Sequence, residues 1–269
     1  MKLYSYWRST TSYRIRAALN LKGLAYDTVS VDLVAGDQRA PDYVALNAGK
    51  GVPTLVLEDG TALTQSMAIL EYIDATWPEP RLIPEGSENE VAALLKHEDE
   101  LHLDLRALSF RFVFNPPHAP KSAEDLEVYA NTGSGTVNGQ KDGRVGVEID
   151  FWETFAATGI TDEVAQAAAA KFRKIFGELD GRLADQAYLL GDEMSVLDIA
   201  WFIYANRLTL AGYPIAKLHP NLGAWYARIE EIPAIKKEIT LPPPVKEEFD
   251  ATRAMHVAQG VHLEAVAGL

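Results

Sequence analysis

The chain has 269 residues, 48% hydrophobic and 23% charged, so it has enough apolar content to bury a core and is not disordered by composition. Its net charge of −13 excludes a general nucleic-acid binder and disfavours an anionic membrane surface, since both want a basic face. There is no cysteine, which excludes disulfides, thiolate metal sites and any sulfur nucleophile supplied by the chain itself.

Lys2-Leu3-Tyr4-Ser5-Tyr6-Trp7 alternates and is rich in aromatics, which predicts a first strand. Ile15, Ala18 and Leu19 then recur at helical spacing, with Gly23 at the place of a cap. Between strand and helix lies Arg8-Ser9-Thr10-Thr11-Ser12-Tyr13-Arg14-Ile15-Arg16. Hydroxyls and arginines therefore fall on a strand-to-helix turn, where backbone N–H groups are unpaired and the helix dipole is positive. Read locally, Ser9 or Thr10 is an N-cap. Read with the arginines, against so acidic a background, the turn suits a small anionic ligand.

Asp27–Asp32 alternates and predicts a second strand, and strand, helix and strand in that order imply a parallel crossover. Pro53 opens Thr54-Leu55-Val56-Leu57-Glu58, Asp59-Gly60 supplies a turn, and Ala62-Leu63-Thr64 returns antiparallel. A helix begins at Ser66 and stops after Trp77. Residues 1–80 are thus expected as an α/β domain on a mixed four-stranded sheet, and the proline-rich stretch 76–84 as a linker.

Beyond the linker strand signals disappear. One long helix is expected over 88–114, a break at 115–120, and a mobile loop over the glycine-rich stretch 130–146. Helices resume near Glu148, turn at Thr158-Gly159 and run through 162–185. Ser195 and Asp198 fit a capping box that opens an all-apolar, buried central helix from Ile199. A further helix is expected over 221–232, then a stiff spacer at Pro242-Pro243-Pro244. The layout is an α/β domain at 1–80, an all-α domain at 88–240 and a C-terminal tail at 241–269.

Three features of the first domain converge. Ser9 ends the first strand, and Val52-Pro53 is a candidate cis peptide that presents a backbone edge. Gln65-Ser66 stands at a helix N-terminus able to hold a carboxylate. The order of strand, hydroxyl turn, Val-Pro, Gln-Ser and a helical second domain resembles the glutathione S-transferase superfamily over essentially the whole chain. Tyr4 to Arg16 is most similar to the zeta-class turn, an aromatic, Arg, Ser-Ser-Cys, Ser, an aromatic and Arg-x-Arg, a class that includes maleylacetoacetate isomerases.

The resemblance implies a thioredoxin-like N-terminal domain, an all-helical C-terminal domain forming the electrophile pocket, glutathione as cofactor and a homodimer. Ser9 matches the serine that hydrogen-bonds the glutathione thiolate, Thr10 the second serine, and Thr11 the cysteine, a departure from the pattern. Gln38, Val52, Gln65 and Ser66 match glutathione-holding positions; Pro53 and Lys50 join them, while Gly51 replaces a glutamine. Arg8, Arg106, Ser109, Tyr204 and Arg207 are candidate groups for the second substrate, and Arg106 and Arg207 also read as ordinary ion-pair residues. Three activities remain open: attack of the thiolate on an aromatic or unsaturated electrophile, cis–trans isomerisation of maleylacetoacetate or maleylpyruvate type, and a non-catalytic binding module.

No metal site is expected. The histidines of His97-Glu98-Asp99-Glu100-Leu101-His102 are five apart, where a zinc-protease helix requires four, so this reads as a solvated face. No signal-like N-terminus and no membrane-length apolar run is present, and a soluble, cytoplasmic protein is expected.

Overall fold

The computed structural model describes residues 1–114, 120–132, 136–137, 140–141 and 145–269. In chain order the elements open with β1 (Lys2–Ser5), α1 (Thr10–Leu21), β2 (Asp27–Ser30), α2 (Pro41–Leu46), β3 (Thr54–Val56), β4 (Ala62–Thr64) and α3 (Ser66–Thr76). There follow α4 (Glu88–Glu100), α5 (His102–Phe112), α6 (Ala123–Thr132), β5 (Thr136–Val137), β6 (Gln140–Lys141), α7 (Val145–Thr158) and α8 (Asp162–Arg182). The chain closes with α9 (Val196–Ala211), α10 (Ile215–Leu218), α11 (Pro220–Glu230), α12 (Pro233–Ile239), α13 (Pro243–Ala258) and α14 (Leu263–Ala267).

The first compact unit comprises Met1–Pro80 and Ala119–Gly159. Its sheet has the order β2-β1-β3-β4, with β1 and β2 parallel and the other two pairs antiparallel. Leu3 stands opposite Thr28 on one side and Leu55 on the other. Leu3, Leu55, Ile15, Leu19 and Ile69 are all 0% exposed, and each contributes about 1.5–3 kcal/mol by leaving water. This is the mixed sheet and thioredoxin-like arrangement expected of the N-terminal region. The β5–β6 pair is a second, two-stranded sheet within the stretch 130–146, expected as a mobile loop between helices. Arg39 pairs with Asp125 at 2.6 Å, which ties this later segment to the turn before α2.

The second unit comprises Arg81–His118 and Ile160–Leu269. Helix α8 buries Ala165, Ala168, Ala169, Phe172, Ile175, Phe176 and Leu179, a helical stripe turned to the core. Helix α9 is central, with Trp201, Phe202 and Tyr204 at 0–1% exposure. Its capping box is present: Ser195 N–H and Ser195 Oγ–H donate to Asp198 Oδ2 at 2.8 and 2.9 Å. Leu189 N–H and Trp225 Nε1–H complete the Asp198 carboxylate at 2.9 and 2.8 Å. Burial pushes this carboxyl up, and the four donors pull it back.

Several local expectations are corrected. The helix expected over 88–114 is two, because Leu101 N–H bonds the Glu98 carbonyl at 3.1 Å in a tighter turn and the ladder restarts at His102. The solvated face expected at 97–102 is solvated only at Asp99 and Glu100. Glu98 is 0% exposed, His97 stands edge-on to Trp201, and His102 Nδ1 lies 3.1 Å from the Tyr204 hydroxyl. Helix α2 was not foreseen, although Pro41 at its first position suits a helix start. The expected proline spacer is likewise a helix start, with Pro243 opening α13, and α14 follows to bury Leu263 completely. Of the expected break and mobile loop, residues 115–119 and Gly133, Gly135, Gly139 and Gly143 lie outside the described residues. Among the described residues no helix is long and apolar enough to cross a membrane.

Candidate functional site

The first unit gathers the turn after β1, the loop before β3 and the start of α3. Ser9 is the N-cap of α1, with extended backbone at φ −76°, ψ 124°. Its Oγ accepts from Ser12 N–H at 3.1 Å and lies 2.9 Å from Thr11 Oγ1. Thr11 Oγ1–H donates to the Val52 carbonyl at 3.0 Å, joining the turn to the loop 41 residues away. Thr10 is buried at 7% exposure. The local reading of Ser9 as an N-cap and the reading as a site residue are therefore compatible: capping uses a lone pair, and the O–H remains a donor.

The Val52–Pro53 peptide is cis. The loop that carries it is held from beneath by residues the sequence did not single out. Tyr43 Oη–H donates to the Gly51 carbonyl, Asn47 Nδ2–H donates to the same oxygen at 3.0 Å and to Thr54 Oγ1 at 2.9 Å, and Tyr43 Oη and Thr54 Oγ1 lie 3.0 Å apart. Burial holds the Tyr43 phenol above its ordinary value, so its proton stays available to Gly51. The signal that could have found these two was their place on a short proline-started helix just before the Val-Pro.

Lys50 (φ 52°) and Gln65 (φ 68°) are the non-glycine residues with left-handed backbone among the described residues. Both were candidates for ligand contact, and strain retained at two such positions points to function. Gln65 is exposed and precedes Ser66, the first residue of α3, whose opening N–H groups face outward from the helix ladder. Arg14, buried at 3% exposure, brings Nη1 to 3.4 Å from Ser66 Oγ and so places a fixed cation beside that helix start. Gln38 lies in the 3₁₀ turn Asp37–Arg39, and its Oε1 is buried with no hydrogen-bond partner among the described residues. A buried amide oxygen left in this state is what a polar ligand would satisfy.

The three arginines of the turn divide their work. Arg16 braces the end of β1, donating to Ser5 Oγ at 2.6 Å and to the Tyr6 and Trp7 carbonyls. Arg14 serves α3. Arg8 lies over the half-exposed Trp7 ring, 4.7 Å from its centroid. No histidine occurs in the residues of this unit, so Ser9 has no imidazole in its own unit to deprotonate it. A hydroxyl at a helix start with no imidazole in its unit suits donation to an anion better than nucleophilic attack.

The remaining candidates belong to the second unit. Ser109 is 3% exposed and donates to the Leu105 carbonyl at 2.7 Å. Tyr204 is 1% exposed, bonded to His102 and packed edge-on to Phe172 and Trp201. Arg207 lies over Phe114 at 5.2 Å. Arg106 is half-buried on α5. The unit also has a cleft of about 220 Å³ lined by Phe112, Gly212, Arg253, His256 and His262 among others, which includes none of these candidates.

The chain is similar to known proteins over both of its parts. Residues 1–75 match the model of the glutathione S-transferase N-terminal domain, and residues 162–228 that of the C-terminal domain. Among curated proteins, a maleylacetoacetate isomerase of Pseudomonas aeruginosa is 46% identical over 102 residues, 35% of this chain and 48% of that protein. Glutathione S-transferase Z2 of Arabidopsis thaliana is 46% identical over 84 residues, 31% and 37% of the two chains. The matched region thus spans less than half the length of these curated relatives. Among solved structures, the β-etherase LigF of Sphingobium sp. strain SYK-6 matches 88% of this chain and 97% of its own, at 27% identity and a TM-score of 0.71.

Proposed function

Because the chain belongs to the glutathione S-transferase superfamily, with both domains in order over more than half its length and an N-terminal part like the zeta class, we propose that it is a glutathione-dependent enzyme whose reaction is cis–trans isomerisation of an unsaturated diacid of maleylacetoacetate type. The observation that carries the reading is Ser9, a hydroxyl at the start of α1 with no histidine in its unit, tied to the Val52–Pro53 loop. The orphaned Gln38 Oε1, the strained Gln65 and the Arg14-supported start of α3 fit a peptide with terminal carboxylates.

Glutathione, when bound, supplies a sulfur that adds to a double bond and leaves again after rotation. The chain's residues do the rest. Ser9 donates a hydrogen bond that favours the ionised sulfur, Val52 offers its backbone edge, and Ser66 with the α3 N–H groups holds a carboxylate. A thiol near pKa ~8.5 needs about 2.7 kcal/mol to move two units, which one charge-assisted bond and a helix start can supply. Arg8 is the group in this unit assigned to a substrate carboxylate. Arg106 and Arg207 are the candidates for a carboxylate in the second unit, where Ser109 and Tyr204 are buried and already bonded to the Leu105 carbonyl and to His102; a homodimer is proposed as well.

The second reading is nucleophilic displacement, in which the sulfur stays on the product. It is favoured by the 88% match to a protein named as a β-etherase. Thiol counting separates the two. Isomerisation returns free thiol after every turnover, whereas displacement consumes it one for one. The expected result is retention on immobilised glutathione and conversion of a maleyl diacid with thiol conserved. Stoichiometric thiol loss with an aryl ether or halide, and no isomerisation, would replace the first reading by the second; no retention and no turnover would sink both. Ser9→Ala should lower kcat by about 10²-fold or more while leaving glutathione affinity within a few-fold.

A further inference from the structure

The directions of the hydrogen bonds around Ser9 follow from one acceptor. The Val52 carbonyl has no proton, so the 3.0 Å contact is a donation from Thr11. A hydroxyl has one proton. With its own committed to Val52, Thr11 Oγ1 accepts from Ser9 across 2.9 Å, and Ser9 Oγ in turn accepts from Ser12 N–H at 3.1 Å. The wire runs from Ser12 N–H through the Ser9 and Thr11 hydroxyls to the Val52 oxygen. In this arrangement the Ser9 proton points at Thr11 and is not free for an anion.

We propose that Thr11 is a positioning residue that couples occupancy of the Val52 carbonyl to the direction of the Ser9 proton. When an amide N–H of a peptide ligand takes the lone pair of the Val52 oxygen that Thr11 uses, the Thr11 hydroxyl is released and turns its proton onto Ser9 Oγ. Ser9 then accepts from both Ser12 N–H and Thr11 and turns its own proton outward. Only two hydroxyl rotors move and no covalent bond forms or breaks; Ser9 keeps a donor and an acceptor role, while Thr11 keeps its donor role and gives up the bond it accepted from Ser9. Two donors onto one oxygen polarise its O–H, so the outward bond is stronger than an isolated serine would make. A cysteine here, as in the zeta pattern, is a weak donor and a weak acceptor, so threonine is not a neutral replacement.

The inference rests on the reading of Ser9 as the partner of a glutathione sulfur, and its test separates the two. The thiol pKa of bound glutathione is titrated by thiolate ultraviolet absorbance in the wild type, Thr11→Val, Thr11→Ser, Ser9→Ala and the Ser9→Ala/Thr11→Val double variant, beside binding affinity and thermal unfolding. Thr11→Val should raise the bound-thiol pKa by about 0.5–1 unit, a three- to tenfold loss of thiolate below that pKa, with affinity within about threefold. Thr11→Ser should restore the wild-type value. The double variant should match Ser9→Ala, because the two residues act on one bond. A Thr11→Val pKa equal to wild type, with Ser9→Ala raised, overturns the coupling and leaves the Ser9 reading standing; so does a loss of thermal stability without a pKa change, and Thr11→Ala, which also lacks the hydroxyl, carries the comparison should the valine variant not fold. A wild type that binds glutathione without lowering its thiol pKa, or does not bind it, overturns both.

Discussion

Lys22 shows how a single side chain can close several backbone ends at once. Its Nζ is fully buried, lies 2.8 Å from Asp74 Oδ1, and donates to the Trp77 and Pro80 carbonyls at 2.5 and 2.7 Å. All three ammonium protons are used, and the last carbonyls after α3 are thereby anchored to the end of α1. Replacing Lys22 by Met removes the cation paired with the buried Asp74 carboxylate and two carbonyl bonds, which should cost about 3–5 kcal/mol in denaturant unfolding. A loss under about 1 kcal/mol would show that the other groups around Asp74 suffice to hold its charge. This contact was not legible in the sequence, because its partners are 55 and 58 residues away. The same holds for Thr11 on Val52 and Arg14 on Ser66, 41 and 52 residues apart. Asp198 was legible, since a capping box spans four residues and needs no knowledge of the fold. Even there, the bond from Trp225 lay beyond a local reading.

Periodicity located most elements and misjudged where they end. Nothing in Leu101 resembles a breaker, so the division of α4 from α5 follows from packing of Glu98 and His102 and has no Gly or Pro to announce it. The C-terminal helices were hidden for the opposite reason: prolines that usually stop a helix here begin one. Helix α14 packs on α8, and Gln166 Nε2 donates to the Val266 carbonyl at 2.9 Å. Leu263→Ala should therefore destabilise the fold by about 2–5 kcal/mol, as a core truncation does, whereas a true tail would show no change in its melting temperature. The turn from α9 into α11 carries a pH dependence. Tyr213 Oη lies 2.9 Å from His219 Nε2 with the rings stacked; burial pushes the tyrosine up and the histidine down, the latter despite Asp180. The neutral imidazole accepts from the phenol. The unfolded chain takes up a proton near pH ~6.5 while the folded chain resists until lower pH, so stability is full above that value and falls as pH drops through it. His256, lowered by burial and then by Arg111, acts in the same direction. Melting curves of His219→Gln should show a flatter decline from neutral to mildly acid pH; an unchanged slope would remove His219 from the account.

At the scale of the whole molecule, the net charge that disfavours nucleic acid and anionic membranes also bears on the ligand proposed. The chain carries 38 acidic against 25 basic side chains. Glutathione at neutral pH has two carboxylates, one ammonium and so one net negative charge. Far from the surface it meets a repulsive field from the full −13; close in, it meets Arg8, Arg14 and Arg16 and the starts of α1 and α3. These ranges separate with salt. The Debye length is about 30 Å at 0.01 M and about 8 Å at 0.15 M, so added salt removes the long-range repulsion before it weakens contacts at hydrogen-bond distance. The association rate of glutathione, followed by tryptophan fluorescence in a rapid-mixing experiment, should thus rise by about two- to tenfold over that interval, with the dissociation rate changing by less. A rate that falls with salt would mean that the arginine-bearing turn governs the approach as well as the contact, and that the net charge of the chain is not felt where the ligand enters.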